Sequence, residues 1–310
     1  MRFSRRLLQR ALPAVVSLGL LAWLLANFDL GAIVGALDAR VGLVLPPCVL
    51  LWGTTTLALE ALSIHRMVPA PPASFTIWTA ARIKCASYLL GIIHLALGGA
   101  GLTVLLRRAT GVTLGRAAGV VVLIMLTDLV VTLSFGVLGA AYSTTAAEAL
   151  PVGLLASLAG GIVLGVALLR APGSMGPIER IRSLSVFVAL RETPLARLLE
   201  LLLLRCAFVA CFLAVGGAAF VAFDLPAPIP RIIVGMAILA VVGALPIAVS
   251  GLGTGQLAAV YLFRDLAPPE TIIAMSLVLS FSLTSLRLLM GLTFAREFAR
   301  EALAGAQEVA

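Results

Sequence analysis

Residues 77–106 read IWTAARIKCASYLLGIIHLALGGAGLTVLL, an apolar stretch too long for one upright membrane helix, too short for two, and interrupted by a glycine cluster. How this stretch meets a bilayer decides the topology of everything around it. Residues 232–263, IIVGMAILAVVGALPIAVSGLGTGQLAAVYLF, pose the same problem. Their middle, LPIAVSGLGTGQ at 245–256, carries a proline, a serine and three glycines inside some of the most apolar sequence in the chain.

A bilayer is required by composition. Of 310 residues, 61% are hydrophobic and 12% charged, and the mean hydropathy is +1.14, far from any soluble domain. Apolar runs reach about 20 residues, the length of a membrane-crossing helix, whereas membrane strands would show short segments of alternating polarity. The expected fold is an all-α, polytopic helix bundle forming a single integral membrane domain over residues 1–310. The net charge of +8 does not point to nucleic acid, because the basic residues lie between apolar runs and no nucleic-acid signature accompanies them. Cys48, Cys85, Cys206 and Cys211 all lie inside apolar segments without CxxC spacing, and His65 and His94 are too far apart to suggest a metal site, so no cofactor is expected. The first 27 residues pair four arginines with an apolar run and lack a small-x-small cleavage site, which reads as an uncleaved first span.

Hydropathy places full spans near 11–27, 41–64, 116–141, 150–169, 198–222 and 271–295. The excess of Lys and Arg in cytoplasmic loops then tests residues 77–106. If this stretch enters and turns back, Arg2, Arg5, Arg6, Arg10, Arg66, Arg107, Arg108, Arg116, Arg170, Arg180, Arg182, Arg191 and Arg197 share one side, and the loop AYSTTAAEALP, which has no Lys or Arg, lies on the other. If it crosses, the arginine-rich loop is exported and the one without Lys or Arg retained. Re-entry is therefore expected, with both termini cytoplasmic in an inner membrane. The charge test says less about 232–263, because the tail mixes Arg296 and Arg300 with Glu297, Glu301 and Glu308. If this stretch also turns back, the chain has six spans and two re-entrant hairpins opening to opposite sides, a pattern that suggests an inverted repeat. Both hairpin regions run from a glycine cluster through a short apolar segment and an arginine-containing turn into a full span.

Backbone that leaves the helix inside a bilayer survives only where protein or a wet cavity satisfies it. A half-helix beginning at Thr254, with its hydroxyl as cap, would point its positive end into the membrane, as broken helices do around polar sites in transporters. The alternative for the same glycines is close helix packing. On the first reading the candidate head-group pathway comprises Gly98, Gly99, Gly101, Pro246, Gly251, Gly253, Thr254 and Gln256.

LPIAVSGLGTGQ closely resembles the LPxxxxGLGxxE signature of the lysylphosphatidylglycerol synthase transmembrane-region family, also called flippase-like domain proteins. ALGGAGLTVLLRRATGVTLGRAAGVVVLIMLTDLV, residues 96–130, is similar to the family's earlier block, in which a Pro-Gly-x-x-Gly-Glu turn leads through an arginine-bearing half-helix to a span ending in an acidic residue. Asp128 matches the family's buried aspartate and Arg287 its arginine in the last span. Leu97, Leu102, Ile124, Met125 and Gln256 depart from the pattern, replacing a proline, a glutamate, a Glu-Arg pair and a second glutamate. The resemblance implies movement of a lipid or lipid-linked head group between leaflets.

Ionisable side chains within spans are functional suspects in their own right, each costing about 2.5–3.5 kcal/mol at mid-bilayer on insertion scales. Glu60 and Arg205 are near enough to span ends to snorkel. Arg82 and Lys84 sit near the mouth of the first hairpin, as phosphate contacts or as topology anchors. Asp128 and Arg287 are deepest; they would pair with each other, or Arg287 would hold a lipid phosphate. In the loop, PIERIRSLSVFVAL has apolar residues at helical spacing, suited to lying along an anionic leaflet or covering the bundle. The expected partners are membrane lipids, anionic phospholipid or a lipid-linked head group, and an oligomer is compatible with the sequence. A lipid translocase is the leading expectation; a membrane scaffold for an envelope enzyme and a transferase acting on polyprenyl lipid are the alternatives.

Overall fold

The computed structural model describes residues 30–93, 95–142, 149–170, 187, 191–244 and 253–307. The expected first span, part of the loop AYSTTAAEALP, most of the loop segment at 177–190, and Pro246 and Gly251 lie outside the described residues. Those described form ten helices joined by turns, with no strand among them: α1 (Leu30–Gly35), α2 (Ala39–Met67), α3 (Ile77–Ile93), α4 (Leu95–Thr110), α5 (Leu114–Ala141), α6 (Ala149–Arg170), α7 (Leu195–Ala222), α8 (Ile229–Ala244), α9 (Thr254–Phe263) and α10 (Pro269–Gln307).

Local chemistry sets several of these boundaries. The Asp38 carboxylate accepts the Arg40 N–H at the head of α2, and the Thr113 hydroxyl accepts the Arg116 N–H at 3.4 Å at the head of α5. Between α4 and α5, Gly111 turns the chain at φ +72°, a conformation that favours glycine. Among the described residues, α2, α5, α7 and the Pro269–Phe294 part of α10 are long and apolar enough to cross a membrane. Only 28–39% of the most apolar window of each is buried within the bundle, so the rest turns leucines such as Leu43, Leu51 and Leu203 outward. Such a surface needs lipid around it. The chain is an integral membrane protein.

Ion pairs fix which helix ends lie together. Arg66, near the end of α2, pairs with Glu200 near the start of α7, and Arg197 donates to the Arg66 carbonyl at 3.3 Å. Arg116 at the head of α5 pairs with Glu192, and Arg170 at the end of α6 donates to the Thr193 carbonyl. These contacts gather Arg66, Arg116, Arg170 and Arg197 at one end of the bundle. At the other end, Arg40 before α2's first turn closes pairs with Asp224 just past α7 at 2.6 Å. Hence α2 and α7 run antiparallel along their length. The end of α2 and the start of α5 both lie at the arginine-rich end, so the α3–α4 pair between them leaves that end and returns to it. The α8–α9 pair opens at the opposite end, where Arg231 forms a two-pronged bond with Asp265 and also donates to the Leu262 carbonyl at 2.9 Å.

Packing partners repeat across the α2–α7 seam. Helix α3 packs on α10 and α8 on α5; α4 lies against α5 and α9 against α10; α3 joins α2 as α8 joins α7; and α1 meets α10 as α6 meets α5. Exchanging α1 with α6, α2 with α7, α3 with α8, α4 with α9 and α5 with α10 maps each of these contacts onto another. Because α2 and α7 are antiparallel, the two halves are inverted relative to one another, as the sequence suggests.

One expectation requires correction. Gly98, Gly99 and Gly101 do not break a helix: α4 runs unbroken from Leu95 to Thr110. Gly98 and Gly101 instead allow close approach, while Gly99 makes ordinary contact with Met125. A Cβ on Gly98 would lie 2.8 Å from the Gly91 Cα, and one on Gly101 would lie 2.5 Å from Leu90 Cδ1. Tight backbone packing replaces the hydrophobic drive that helices lack inside lipid. Gly235 is the tightest case in the second hairpin, with Phe263 Cζ 2.1 Å from where its Cβ would stand. Gly235→Val is therefore expected to destabilise the protein by about 1–3 kcal/mol through overpacking, measured by unfolding in detergent. Gly217→Val, at a site with no neighbour within 4 Å, is the neutral comparison.

The Arg231–Asp265 pair supplies a smaller, pH-dependent contribution. Hydrogen bonding from Arg231, aided by charge attraction, holds the Asp265 carboxyl below its usual range. A lowered folded-state pKa gives stability that is fully present above the ordinary carboxylate range and lost as pH falls through the lowered value. The carboxylate is 60% exposed, so solvent screening limits the contribution to under about 1 kcal/mol. Asp265→Asn is expected to remove that increment at pH 7 and to have no effect once the wild-type carboxyl is protonated, in unfolding curves recorded at both pH values.

Candidate functional site

Five helices bring ionisable groups together inside the bundle. Glu60 and Ser63 stand on α2, Lys84 and Tyr88 on α3, Asp128 on α5, Arg205 on α7 and Arg287 on α10. Counting 1.5 Å per residue, Asp128 lies about 20 Å from the head of α5 and Arg205 about 15 Å from that of α7. Both are too deep to be surface charges.

Arg205 is fully buried. Its Nη1 donates to Asp128 Oδ1 at 3.3 Å and Oδ2 at 3.4 Å, its Nη2 donates to Ser63 Oγ at 2.7 Å and to the Leu59 carbonyl at 3.1 Å, and its guanidinium lies 4.7 Å from the Phe208 ring centre. Nε alone finds no partner. The snorkelling expected for Arg205 does not occur, because Asp128, Ser63 and a carbonyl satisfy it in place. Nor does Asp128 pair with Arg287, as the sequence suggested; α7 packs directly on α2 and α5 and brings Arg205 to it.

Glu60 is equally well held. Its carboxylate takes Lys84 Nζ at 2.8 Å and the Tyr88 hydroxyl proton. Lys84 is thus part of this interior pair and not a mouth anchor. Its four-residue spacing from Tyr88 puts both side chains on one face of α3, reaching the same carboxylate. Arg82 lies two residues closer to the start of α3, about half a turn nearer the arginine-rich end.

Arg287 is different. Its guanidinium sits 5.0 Å from the Trp52 ring centre and 5.5 Å from that of Tyr88, a cation held by two aromatic faces. Among the described residues it makes no hydrogen bond or close ion pair, and its charge acts through space on Glu60, whose carboxylate already holds Lys84 and Tyr88. Beside it the buried Trp52 has an indole N–H without an acceptor. Three cations against two carboxylates leave the cluster with one positive charge. The Lys84 and Asp128 side chains keep 20% and 29% of their exposure, so the cluster is not sealed from its surroundings. A buried, partly open, net-positive site with spare N–H donors is suited to an oxyanion.

At the tip of the second hairpin, Gly253 at φ +85° is the N-cap of α9, and Thr254 is the first helical residue and not the cap. Capping comes from Gln256, whose buried Oε1 accepts the Gly253 N–H at 2.6 Å. A neutral amide does here what a glutamate would do with a charge. Of the sequence-selected residues, the structure brings Lys84, Asp128 and Arg287 into one cluster; Gly98 and Gly101 sit at close helix contacts with Gly99 between them, and Gly253, Thr254 and Gln256 form the α9 terminus. Sequence reading missed Trp52, Ser63 and Tyr88. The spacing of Ser63 from Glu60 and of Tyr88 from Lys84, three and four residues along a helix, was the available signal.

Neither the curated proteins nor the solved structures contain a match to this chain. A family model does match, described as the lysylphosphatidylglycerol synthase TM region, and it covers residues 10–291 with both hairpins and every residue of the charge cluster. The chain belongs to the lysylphosphatidylglycerol synthase transmembrane-region family.

Proposed function

We propose that this protein moves an anionic phospholipid, or a lipid-linked head group, between leaflets of the cytoplasmic membrane, with the arginine-rich end on the cytoplasmic side. The observation that carries this reading is Arg287: a partly buried cation within the bundle, cradled by Trp52 and Tyr88, with no hydrogen-bonded or closely paired carboxylate among the described residues. Burying charge is costly, and stability alone would favour apolar residues at these positions. A phosphate passing through would complete the cluster while its acyl chains stay in lipid.

The inverted arrangement supports the same reading. Two helical hairpins opening at opposite ends are read as re-entrant elements that gate the interior alternately from each side. Their helices are short for a bilayer core of about 30 Å: α9, with ten residues, is about 15 Å long. Family membership places the chain in lipid and envelope biology, which agrees with a lipid cargo.

Purified protein in liposomes carrying fluorescent phosphatidylglycerol tests the proposal. Faster loss of the outer-leaflet signal than in empty vesicles is the expected result. A chemically altered lipid would make the protein an enzyme. Unaltered lipid with no acceleration would leave a scaffold and reject translocation.

A further inference from the structure

A second cationic site lies at the arginine-rich end, above the buried cluster. A cavity of about 370 Å³ opens between the end of α2 with its following loop, the head of α5, and the segment leading into α7. Arg66, Arg116 and Arg197 line it, one guanidinium from each of the three strands of chain. All three are about half exposed, at 45–49%. Their protein contacts use few of their donors: Arg66 reaches Glu200 through Nε at 3.1 Å, Arg116 reaches Glu192 through one Nη at 3.2 Å, and Arg197 reaches Glu200 and the Arg66 carbonyl through one Nη. Each guanidinium carries five N–H donors, so most of the fork remains unused. Three arginines against Glu192 and Glu200 leave the pocket net positive.

Glu192 and Thr193 also line it, and the remaining lining is apolar, including Met67, Val68 and Val120. Leu114 and Leu195, at the heads of α5 and α7, are exposed large hydrophobics close by in the chain. A polar, cationic recess beside lipid-facing leucines suits a ligand that is anionic at one end and greasy at the other. We infer that this pocket is a docking site for the phosphate of an anionic phospholipid in the leaflet at the arginine-rich end, with Arg66, Arg116 and Arg197 as its ligands. The inference rests on the translocation reading for its role as a loading site. The same helices supply both sites: Arg205 lies eight residues beyond Arg197 on α7, Ser63 three residues before Arg66 on α2, and Asp128 twelve residues beyond Arg116 on α5. The drop from pocket to cluster along α7 is about 12 Å. A head group released from the first would face the second.

Native mass spectrometry of the detergent-purified full chain, titrated with phosphatidylglycerol or phosphatidylcholine, measures the docking without transport. Wild type is expected to retain phosphatidylglycerol preferentially, and R116Q/R197Q to retain it about tenfold less, the scale of losing charge-assisted forks. R40Q, which removes a cation from the opposite end, is the comparison that should leave retention unchanged. R116K/R197K keeps the charge without the planar fork; an intermediate result is expected, and it stands in for the glutamine variant if that misfolds. Inorganic phosphate titrated alone separates the sources: retention of phosphate but not lipid would overturn the lipid assignment in favour of a free anion. Equal retention of phosphatidylglycerol by wild type and both double variants would overturn the site. Failure of transport in liposomes with docking intact would reject the translocation reading and leave the pocket standing.

Discussion

Replacing Arg205 by alanine is expected to destabilise the protein by about 3–5 kcal/mol, the range measured when one partner of a buried ion pair is removed. The physical reason is what stays behind. Asp128 would keep its carboxylate with its closest cation gone, Ser63 Oγ and the Leu59 carbonyl would lose their donor, and a void would open where the guanidinium packs on Phe208. Three helices meet through that side chain, so the loss would be felt along the α2–α7 seam on which the two halves turn. Removing both charges in D128N/R205M is expected to recover much of the loss, because a neutral pair leaves no uncompensated ion. Unfolding midpoints in detergent, compared across the single and double variants, measure this. An R205A protein as stable as wild type would mean that the pair contributes nothing to the fold.

Arg287→Ala is expected to behave in the opposite way, folding normally while slowing lipid movement by about tenfold to a hundredfold, the loss of a hydrogen bond to a charged group worth about 1.5–3 kcal/mol. Its aromatic contacts are worth much less than a buried ion pair, and Glu60 keeps Lys84 and Tyr88 when Arg287 is gone. R287K, which keeps the charge but not the planar face stacked between Trp52 and Tyr88, is expected to recover part of the rate. Rates in liposomes, with unfolding midpoints as the check on folding, separate the two arginines by role. Unchanged transport in a well-folded R287A protein would remove this residue from the site and with it the main support for the proposed cargo.

The contrast between Arg205 and Arg287 also shows where sequence reading succeeds and where it stops. Both are arginines at comparable depth in apolar helices, and the sequence assigned Asp128 to the wrong one. Periodicity along a helix reports which residues share a face, and so Lys84 with Tyr88 and Glu60 with Ser63 were within reach. It does not report which face meets which across helices far apart in the chain: Arg205 and Asp128 are separated by 77 residues and Arg205 and Ser63 by 142. Glycine raised a similar ambiguity. Gly98 and Gly253 both lie in glycine-rich apolar segments; the first packs against Gly91 within a helix pair, while the second turns the backbone at positive φ ahead of α9.

By itself the amino-acid sequence determined that this is an all-helical membrane protein, that arginines such as Arg66, Arg116, Arg170 and Arg197 share one end of it, and that two apolar segments each form a helix pair opening at opposite ends. Those properties follow from hydropathy, segment length and charge, which act locally and are written along the chain. Tertiary structure alone decided that Arg205 neutralises Asp128, that Lys84 neutralises Glu60, and that Arg287 is left over. Charge compensation inside a bundle depends on which helices touch and at what rotation, and that is settled by side-chain packing between segments distant in sequence.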